Sequence, residues 1–463
     1  MRANNYHLFS DGSTHIAYDQ NEMIIYRIDD ETWQNPDKLQ NSNGQPEKTA
    51  AAPKPDPVTQ ESPSNSWFLE RLVLILTTDC NLRCSYCYAE GGDYGLKREK
   101  MTKQMAQKSI QWATEVFAGI GTIQFFGGEP TLNPSAMEAV YDAFELKKTD
   151  ENLTDQLQYA IVTNGTYWND HLDKLVDRQP IHITFSIDGP KVVHDANRYF
   201  ASGKGCHDDT IKNFLEFQEY CTQSKSSLGV EMTFTPQALD AGWGVWELAQ
   251  YSSQELGLSE AHIAPVTTEP DDTNCWLERI PEISQSYRTA TKNSLQSIMA
   301  GEYIGFSVAA GMLRTLITKR NREVICPAGV GTLAVDPSGE VYPCFMFTGQ
   351  PDKVICNVNS APDLQVIRQR ILDFAQYNFK HTHPTCRSCW AIKICSGCVG
   401  DTEISMGSLE KESPVLCSIM KNVAEETMLF LGQVQSDPEQ WAIFVENYKK
   451  FRLNVENKTQ TVI

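Results

Sequence analysis

Residues 72–89 read "LVLILTTDCNLRCSYCYA". The first seven, Leu72 to Thr78, form a near-continuous apolar run of the kind a buried strand shows. Cysteines follow at once. Cys80, Cys84 and Cys87 stand at C-x3-C-x2-C, three thiols within eight positions. A structural zinc site wants a fourth Cys or His close by, and neither flank supplies one. Three thiolates at this spacing fit a [4Fe–4S] cluster held through three irons, with one iron left open.

Further apolar runs follow the first: "TIQFFGG" (122–128), "QYAIVTNG" (158–165), "IHITFSIDG" (181–189), "VEMTFTP" (230–236) and "AHIAPV" (261–266). Between them lie helical periods at 102–118, 135–148, 169–178, 208–222 and 243–256. Apolar strands alternating with helices make a parallel sheet. Six such units predict an α/β fold, a partial (β/α)6 TIM-type barrel over residues 67–310. Reactive groups gather at the C-terminal strand ends of such a barrel, which is where the three cysteines stand.

Residues 1–34 contain three short strand patterns, "YHLF", "THIAYD" and "MIIYRID". They predict a small N-terminal β module, separate from the barrel or laid on it as a flap. Residues 35–66 are rich in Pro, Asn, Gln, Ser and Lys and read as a linker. From Cys326 the alternation fades and cysteines take over, which predicts a cysteine-rich domain over 320–430. Residues 431–463 read as the end of a helix followed by a polar tail.

The chain has 463 residues, enough for two to three domains, and a formal net charge of −19. That charge repels phosphate backbones, so no nucleic-acid partner is expected, while a basic peptide would be attracted. The first residues lack an apolar core and cleavage site, and no run of 18 apolar residues occurs. The expectation is a cytoplasmic chain without a membrane span, its 14 cysteines reduced and available as metal ligands.

C-x3-C-x2-C with Tyr86 before the third cysteine, behind the first strand of a β/α barrel, resembles the radical S-adenosylmethionine enzymes. The resemblance implies that Cys80, Cys84 and Cys87 are catalytic cluster ligands and that S-adenosylmethionine chelates the open iron. It implies a 5′-deoxyadenosyl radical that abstracts hydrogen from the substrate. "GGEP" (Gly127, Gly128, Glu129, Pro130) follows the second strand. Its glycines permit close backbone approach, and Glu129 offers acceptors to an ammonium; by resemblance it holds the amino group of S-adenosylmethionine. Asn164 ends the third strand, and Ser186 and Asp188 the fourth. With the fork of Arg198 and the ring of Tyr86, they complete the implied cofactor set, and the strand Ile263 to Val266 would line the adenine through backbone groups. His194 is left out of the chemistry, and Cys206, Cys221 and Cys275 read as buried thiols.

In the second half, Gly339 stands five residues before Cys344, and Cys386-x2-Cys389-x5-Cys395-x2-Cys398 is followed by Cys417. Together with Cys326 this resembles the SPASM domain of radical S-adenosylmethionine enzymes, with one departure. The last internal gap is two residues where the family has three. The resemblance implies two auxiliary iron–sulfur clusters. The distal one would take Cys386, Cys389, Cys395 and Cys417. The proximal one would take Cys326, Cys344 and Cys398, with Cys356 as candidate fourth ligand. A zinc ribbon is the competing reading, although five residues between the C-x2-C pairs is short for one.

SPASM enzymes mostly modify ribosomally made peptides or proteins. Crosslinking from C–H is a net two-electron oxidation, and an auxiliary cluster can take the electron. The expected function is therefore an intramolecular crosslink (C–C, ether or thioether) in a precursor peptide made of leader and core. Residues 1–34 would capture the leader by strand addition, and a flavodoxin or ferredoxin-type reductant would supply electrons. Formylglycine formation, as in anaerobic sulfatase maturation, is an alternative. It expects an Asp directly after the cysteine matching Cys344, and the chain has Phe345, which takes no proton. A non-catalytic iron–sulfur carrier or scaffold would need neither "GGEP" nor "SIDG".

Overall fold

The structure, a computed structural model, describes residues 2–3, 5–41, 67–146 and 157–458. Most of the predicted linker 35–66 and the end of the tail, 459–463, lie outside the described residues. Its strands are β1 (Arg2–Ala3), β2 (Tyr6–Ser10), β3 (His15–Asp19), β4 (Ile24–Ile28), β5 (Phe68–Ile75), β6 (Gly119–Phe126) and β7 (Gln158–Thr163). They continue as β8 (Ile181–Ser186), β9 (Ser227–Phe234), β10 (Glu260–Pro265), β11 (Gly305–Phe306), β12 (Thr332–Val335), β13 (Glu340–Tyr342) and β14 (Cys356–Asn357).

The six expected strands are β5 to β10, paired in parallel in chain order, with Leu74 opposite Phe125 and Ile161 opposite Ile183. The helix Lys103–Val116 starts where the Thr102 side chain accepts the Met105 N–H, and buries Ala106, Ile110 and Ala113 at helical spacing. Asn169 caps Asp170–Arg178 in the same way. These two crossover helices thus begin at caps readable in the sequence.

The sheet runs beyond the barrel. Its order is β11-β10-β9-β8-β7-β6-β5-β12-β13-β14, so its ends do not meet and the barrel stays open. β12 belongs to the cysteine-rich region yet pairs in parallel with β5, Leu333 opposite Leu72. The cysteine-rich region is therefore a continuation of the barrel sheet. Along the strands, Arg71, Gln124, His182, Thr184 and Glu231 face a central cavity, so the barrel strands are less uniformly apolar than their sequences suggest. An open barrel needs no close-packed interior.

β1 to β4 form a four-stranded antiparallel sheet docked on the cysteine-rich region. Its contacts reach the helix Pro414–Val434, where a Cβ on Gly432 would lie 2.4 Å from Ile16 Cδ1. The His7 ring stacks at 3.9 Å on Trp390, and His7 Nε2 lies 2.9 Å from Glu425. Residues 438–458 correct the expected polar tail: they form one helix, Pro438–Lys458. Phe444, Phe451 and Val455 on it are buried, and Trp441 and Tyr448 pack beside them. Among the described residues no helix is long and apolar enough to cross a membrane.

Candidate active site

The loop after β5 is fixed by three chain segments meeting at glycines. A Cβ on Gly92, at φ +100°, would lie 2.7 Å from both Cys80 Cβ and Gly128 Cα. One on Gly128 would lie 2.3 Å from the Asp79 carbonyl oxygen. Side chains at these positions would drive the segments apart. Arg83 adds a clamp, its guanidinium donating to the Cys80 carbonyl at 2.8 Å. Asn164 Nδ2 donates to Asn81 Oδ1 at 2.9 Å, tying the loop to the end of β7.

Cys80, Cys84 and Cys87 line one wall of a cavity of about 550 Å³ at the C-terminal end of the barrel strands. Burial pushes the Cys80 thiol up to about 12, and the Cys84 thiol to about 11 against the opposing pull of Arg198. Bare thiolates are costly here, and a metal that binds them removes that cost. Three sulfurs opening on a cavity are the donor set that an iron–sulfur cluster with a ligand-accepting iron requires.

The other expected site residues divide into two groups. Tyr86, Gly127, Gly128, Glu129, Asn164, Ser186 and Arg198 line the cavity, as do Ala264 to Val266 after β10. Pro130 and Asp188 do not, and act behind the wall. Glu129 anchors the loop as well as lining the cavity. Its Oε1 accepts from Thr131 N and Oγ1 and from Thr163 Oγ1, and its Oε2 from Asn164 N, at 2.7 to 3.0 Å. Oε2, with a single donor, keeps an acceptor site for an ammonium.

Asp188 is likewise an anchor. Its Oδ1 accepts the Thr233 N–H at 2.9 Å, and its Oδ2 accepts from Tyr86 Oη and from Arg198 Nε at 3.0 Å. The Arg198 guanidinium also lies over the Tyr86 ring, 5.4 Å from its centroid. Behind this pair, the Asp188 N–H points at His194 Nδ1 at 3.4 Å, and His194 Nε2 lies 3.2 Å from Cys206 Sγ. His194, Asp195 and Cys206 come close enough together to be considered for a metal ion. The Asp188 N–H argues against it, because it keeps Nδ1 as acceptor and leaves the hydrogen on Nε2, the atom a metal would need. Burial holds His194 down at about 4.

The SPASM-type cysteines form two sets. Cys326, Cys344 and Cys398 lie within electrostatic reach of one another. Backbone N–H groups of Ala328 and Val399 face Cys326, those of Phe345 and Met346 face Cys344, and that of Asp401 lies 3.4 Å from Cys398. Such N–H···S donors stabilise cluster thiolates. Cys356, the candidate fourth ligand, packs against a different apolar cluster from Cys326 and Cys344. β14 pairs it with Val341, and the charged group bearing on its thiol is Arg370, with none of the three cysteines. Cys386, Cys389, Cys395 and Cys417 make the second set. Two buried residues here escaped the sequence reading. Asn378 brackets Cys326 by donating to its carbonyl and accepting its N–H. Lys380 lies against Cys395. Neither sits in a motif, so no spacing announces them.

Cys398 lines the same cavity as Cys80, Cys84 and Cys87. Phe345 closes the wall between, its ring 4.5 Å from that of Phe126. The three-cysteine loop, the expected cofactor wall and one cysteine of the auxiliary set, Cys398, thus line one chamber, an arrangement suited to one-electron chemistry on a substrate held between them.

Residues 74–230 match the model of the Radical SAM superfamily. The chain therefore carries a radical SAM domain and is an enzyme, and the cofactors that fit this domain are a [4Fe–4S] cluster and S-adenosylmethionine. The chain is 22% identical to the radical SAM cyclopropyl synthase TigE of Paramaledivibacter caminithermalis, over 76% of this chain and 72% of that protein. With an uncharacterized protein of Methanocaldococcus jannaschii the identity is 32%, over 33% of this chain and half (50%) of that protein. The fold matches anSMEcpe with bound AdoMet at TM-score 0.65 and 19% identity, covering 82% of this chain and 99% of that one. It matches SuiB of Streptococcus suis bound to S-adenosylmethionine at 0.54 and 16%, covering 90% and 99%. SuiB has also been solved with its precursor peptide SuiA, at TM-score 0.53.

Proposed function

We propose that this enzyme oxidatively modifies a ribosomally made precursor peptide and installs an intramolecular crosslink. The observation that carries the reading is the single chamber shared by Cys80, Cys84, Cys87 and Cys398. When bound, the reduced cluster and S-adenosylmethionine supply a 5′-deoxyadenosyl radical able to take hydrogen from an unactivated carbon. The chain's residues prepare the place for it. The Gly127–Gly128 backbone and the Arg198 fork form the cofactor wall, with Ser186 beside them, while Asp188 and Glu129 hold that wall in position. Phe126, Phe345 and Tyr88 exclude water from the space between the two cysteine sets. The electron left on the substrate has the Cys326, Cys344 and Cys398 set as its nearest acceptor site.

Residues 1–34 serve the leader. β4 stands at the edge of its sheet, with no further strand paired to it among the described residues, and an extended peptide adds to such an edge through main-chain hydrogen bonds. The core residues then reach the chamber. SuiB, solved with its precursor peptide, supports a peptide as the class of substrate. A flavodoxin or ferredoxin-type carrier completes the reaction, in the cytoplasm, where the free thiols of all 14 cysteines stay reduced.

The test is a search of the neighbouring genes for a short precursor peptide, co-expression with it, and mass spectrometry. Each crosslink removes two hydrogens from the peptide, and an unchanged mass refutes the assignment. Deleting residues 1–34 is expected to abolish peptide modification while 5′-deoxyadenosine still forms. Continued modification at the full rate removes the module from leader recognition. Formylglycine formation stands as the second reading because the fold matches anSMEcpe at the higher TM-score. Against it, Phe345 puts an apolar ring where that chemistry needs a base. Cysteine and serine sulfatase peptides are expected to remain unconverted.

A further inference from the structure

The distal cysteine set encloses a cation that the proposed reaction does not use. Lys380 is 3% exposed. Its Nζ donates to the carbonyl oxygens of Arg322 at 2.7 Å, Ile392 at 2.8 Å and Cys395 at 2.6 Å. Three carbonyls around one nitrogen require three hydrogens, which an ammonium has and a neutral amine lacks. The geometry therefore fixes the charge. None of these partners is a carboxylate, and burying an ammonium without a counter-charge costs several kcal/mol.

The neighbourhood shows what that charge faces. The carbonyl partners come from the segment before Cys326, from the stretch between Cys389 and Cys395, and from Cys395 itself. Cys395, Cys386 and Cys389 are the groups of opposite charge that bear on the ammonium, while Arg322 repels it. The three carbonyl dipoles satisfy the hydrogens of the ammonium but supply no net negative charge to offset its burial. An iron–sulfur cluster on four thiolates is anionic and becomes more so when reduced. A fixed cation beside it favours the reduced state, since net local charge is one determinant of cluster potential.

We propose that Lys380 is the internal counter-cation of the distal cluster, retaining it in the fold and raising its midpoint potential. The step it influences is one-electron uptake by the cluster; Lys380 exchanges no proton and touches no substrate. The proposal rests on the reading of Cys386, Cys389, Cys395 and Cys417 as a cluster site, so Cys395→Ser is measured first. If that change leaves iron content and the cluster signals unaltered, the cluster reading fails and the role of Lys380 falls with it.

Given a distal cluster, the full chain is reconstituted anaerobically and titrated potentiometrically with electron paramagnetic resonance, alongside iron analysis, for Lys380→Met, Lys380→Gln and Lys380→Arg. The neutral variants are expected to weaken reduction of the distal cluster at least tenfold, a fall of about 59 mV for one electron, and the arginine variant to restore it. Loss of distal iron in both neutral variants but not in Lys380→Arg also supports the counter-cation. A neutral variant that keeps its cluster at the unaltered potential overturns the proposal. So does loss of the cluster in all three, which assigns Lys380 to shape and not to charge.

Discussion

Gly128 shows how much a single atom decides in this site. An added Cβ would meet the Asp79 carbonyl at 2.3 Å and the Gly92 carbonyl at 3.0 Å, both backbone atoms with nowhere to go. Gly128→Ala is expected to weaken S-adenosylmethionine binding by at least tenfold, about 1.4 kcal/mol, in an equilibrium titration of the reconstituted protein. Unchanged affinity would show that the loop has slack. His194 makes a different prediction. Its folded value of about 4 lies below the 6.5 of a free histidine, so between these values the unfolded chain binds more protons. Stability is complete above about pH 6.5 and is lost as pH falls toward 4, by roughly 3 kcal/mol for this group. Denaturant titrations at pH 7 and pH 5 check it, with His194→Asn flattening the slope. At this scale the sequence was legible where chemistry is local: cysteine spacing and paired glycines announce themselves. It was silent where a role depends on distant partners. Glu129 and Asp188 are recognisable as site acids, but only the fold shows that Thr131, Thr163, Arg198 and Tyr86 occupy them. Cys356 is a candidate ligand on spacing alone, which carries no information on the cluster of side chains it packs against.

Among the elements, the barrel strands and their helices were readable because period and caps agree. Two elements were not. Residues 438–458 carry enough charge to resemble a solvated tail, yet Trp441, Phe444, Tyr448, Phe451 and Val455 recur at alternating three and four, the seam of a packed helix. Phe444 is fully buried, and Phe444→Ala is expected to destabilise the protein by about 3–5 kcal/mol, seen as a lower midpoint in thermal unfolding. An unaltered midpoint would mean that the helix packs loosely. β12 escaped because four residues following a turn give no sign of pairing with a strand some 260 positions earlier. That pairing is what carries Cys344 to the barrel mouth.

For the whole molecule, β12 joins the cysteine-rich region to the barrel sheet, and Cys398 opens on the same chamber as Cys80, Cys84 and Cys87. Under the proposed function, the acidic charge of −19 would attract a peptide, and β4, with no further strand paired to it among the described residues, would be its place to bind. Function class was legible in the sequence because two cysteine patterns carry it. The substrate was not, because the chamber is lined by residues from all six barrel strands, β5 to β10. The account stands or falls on Cys84. The reconstituted, reduced protein is incubated with S-adenosylmethionine and 5′-deoxyadenosine is quantified, for the unaltered chain and for Cys84→Ala. The account predicts steady formation by the first and none by the second, with the distal cluster's iron retained in both. Formation of 5′-deoxyadenosine by Cys84→Ala, or none by the unaltered chain, would contradict it.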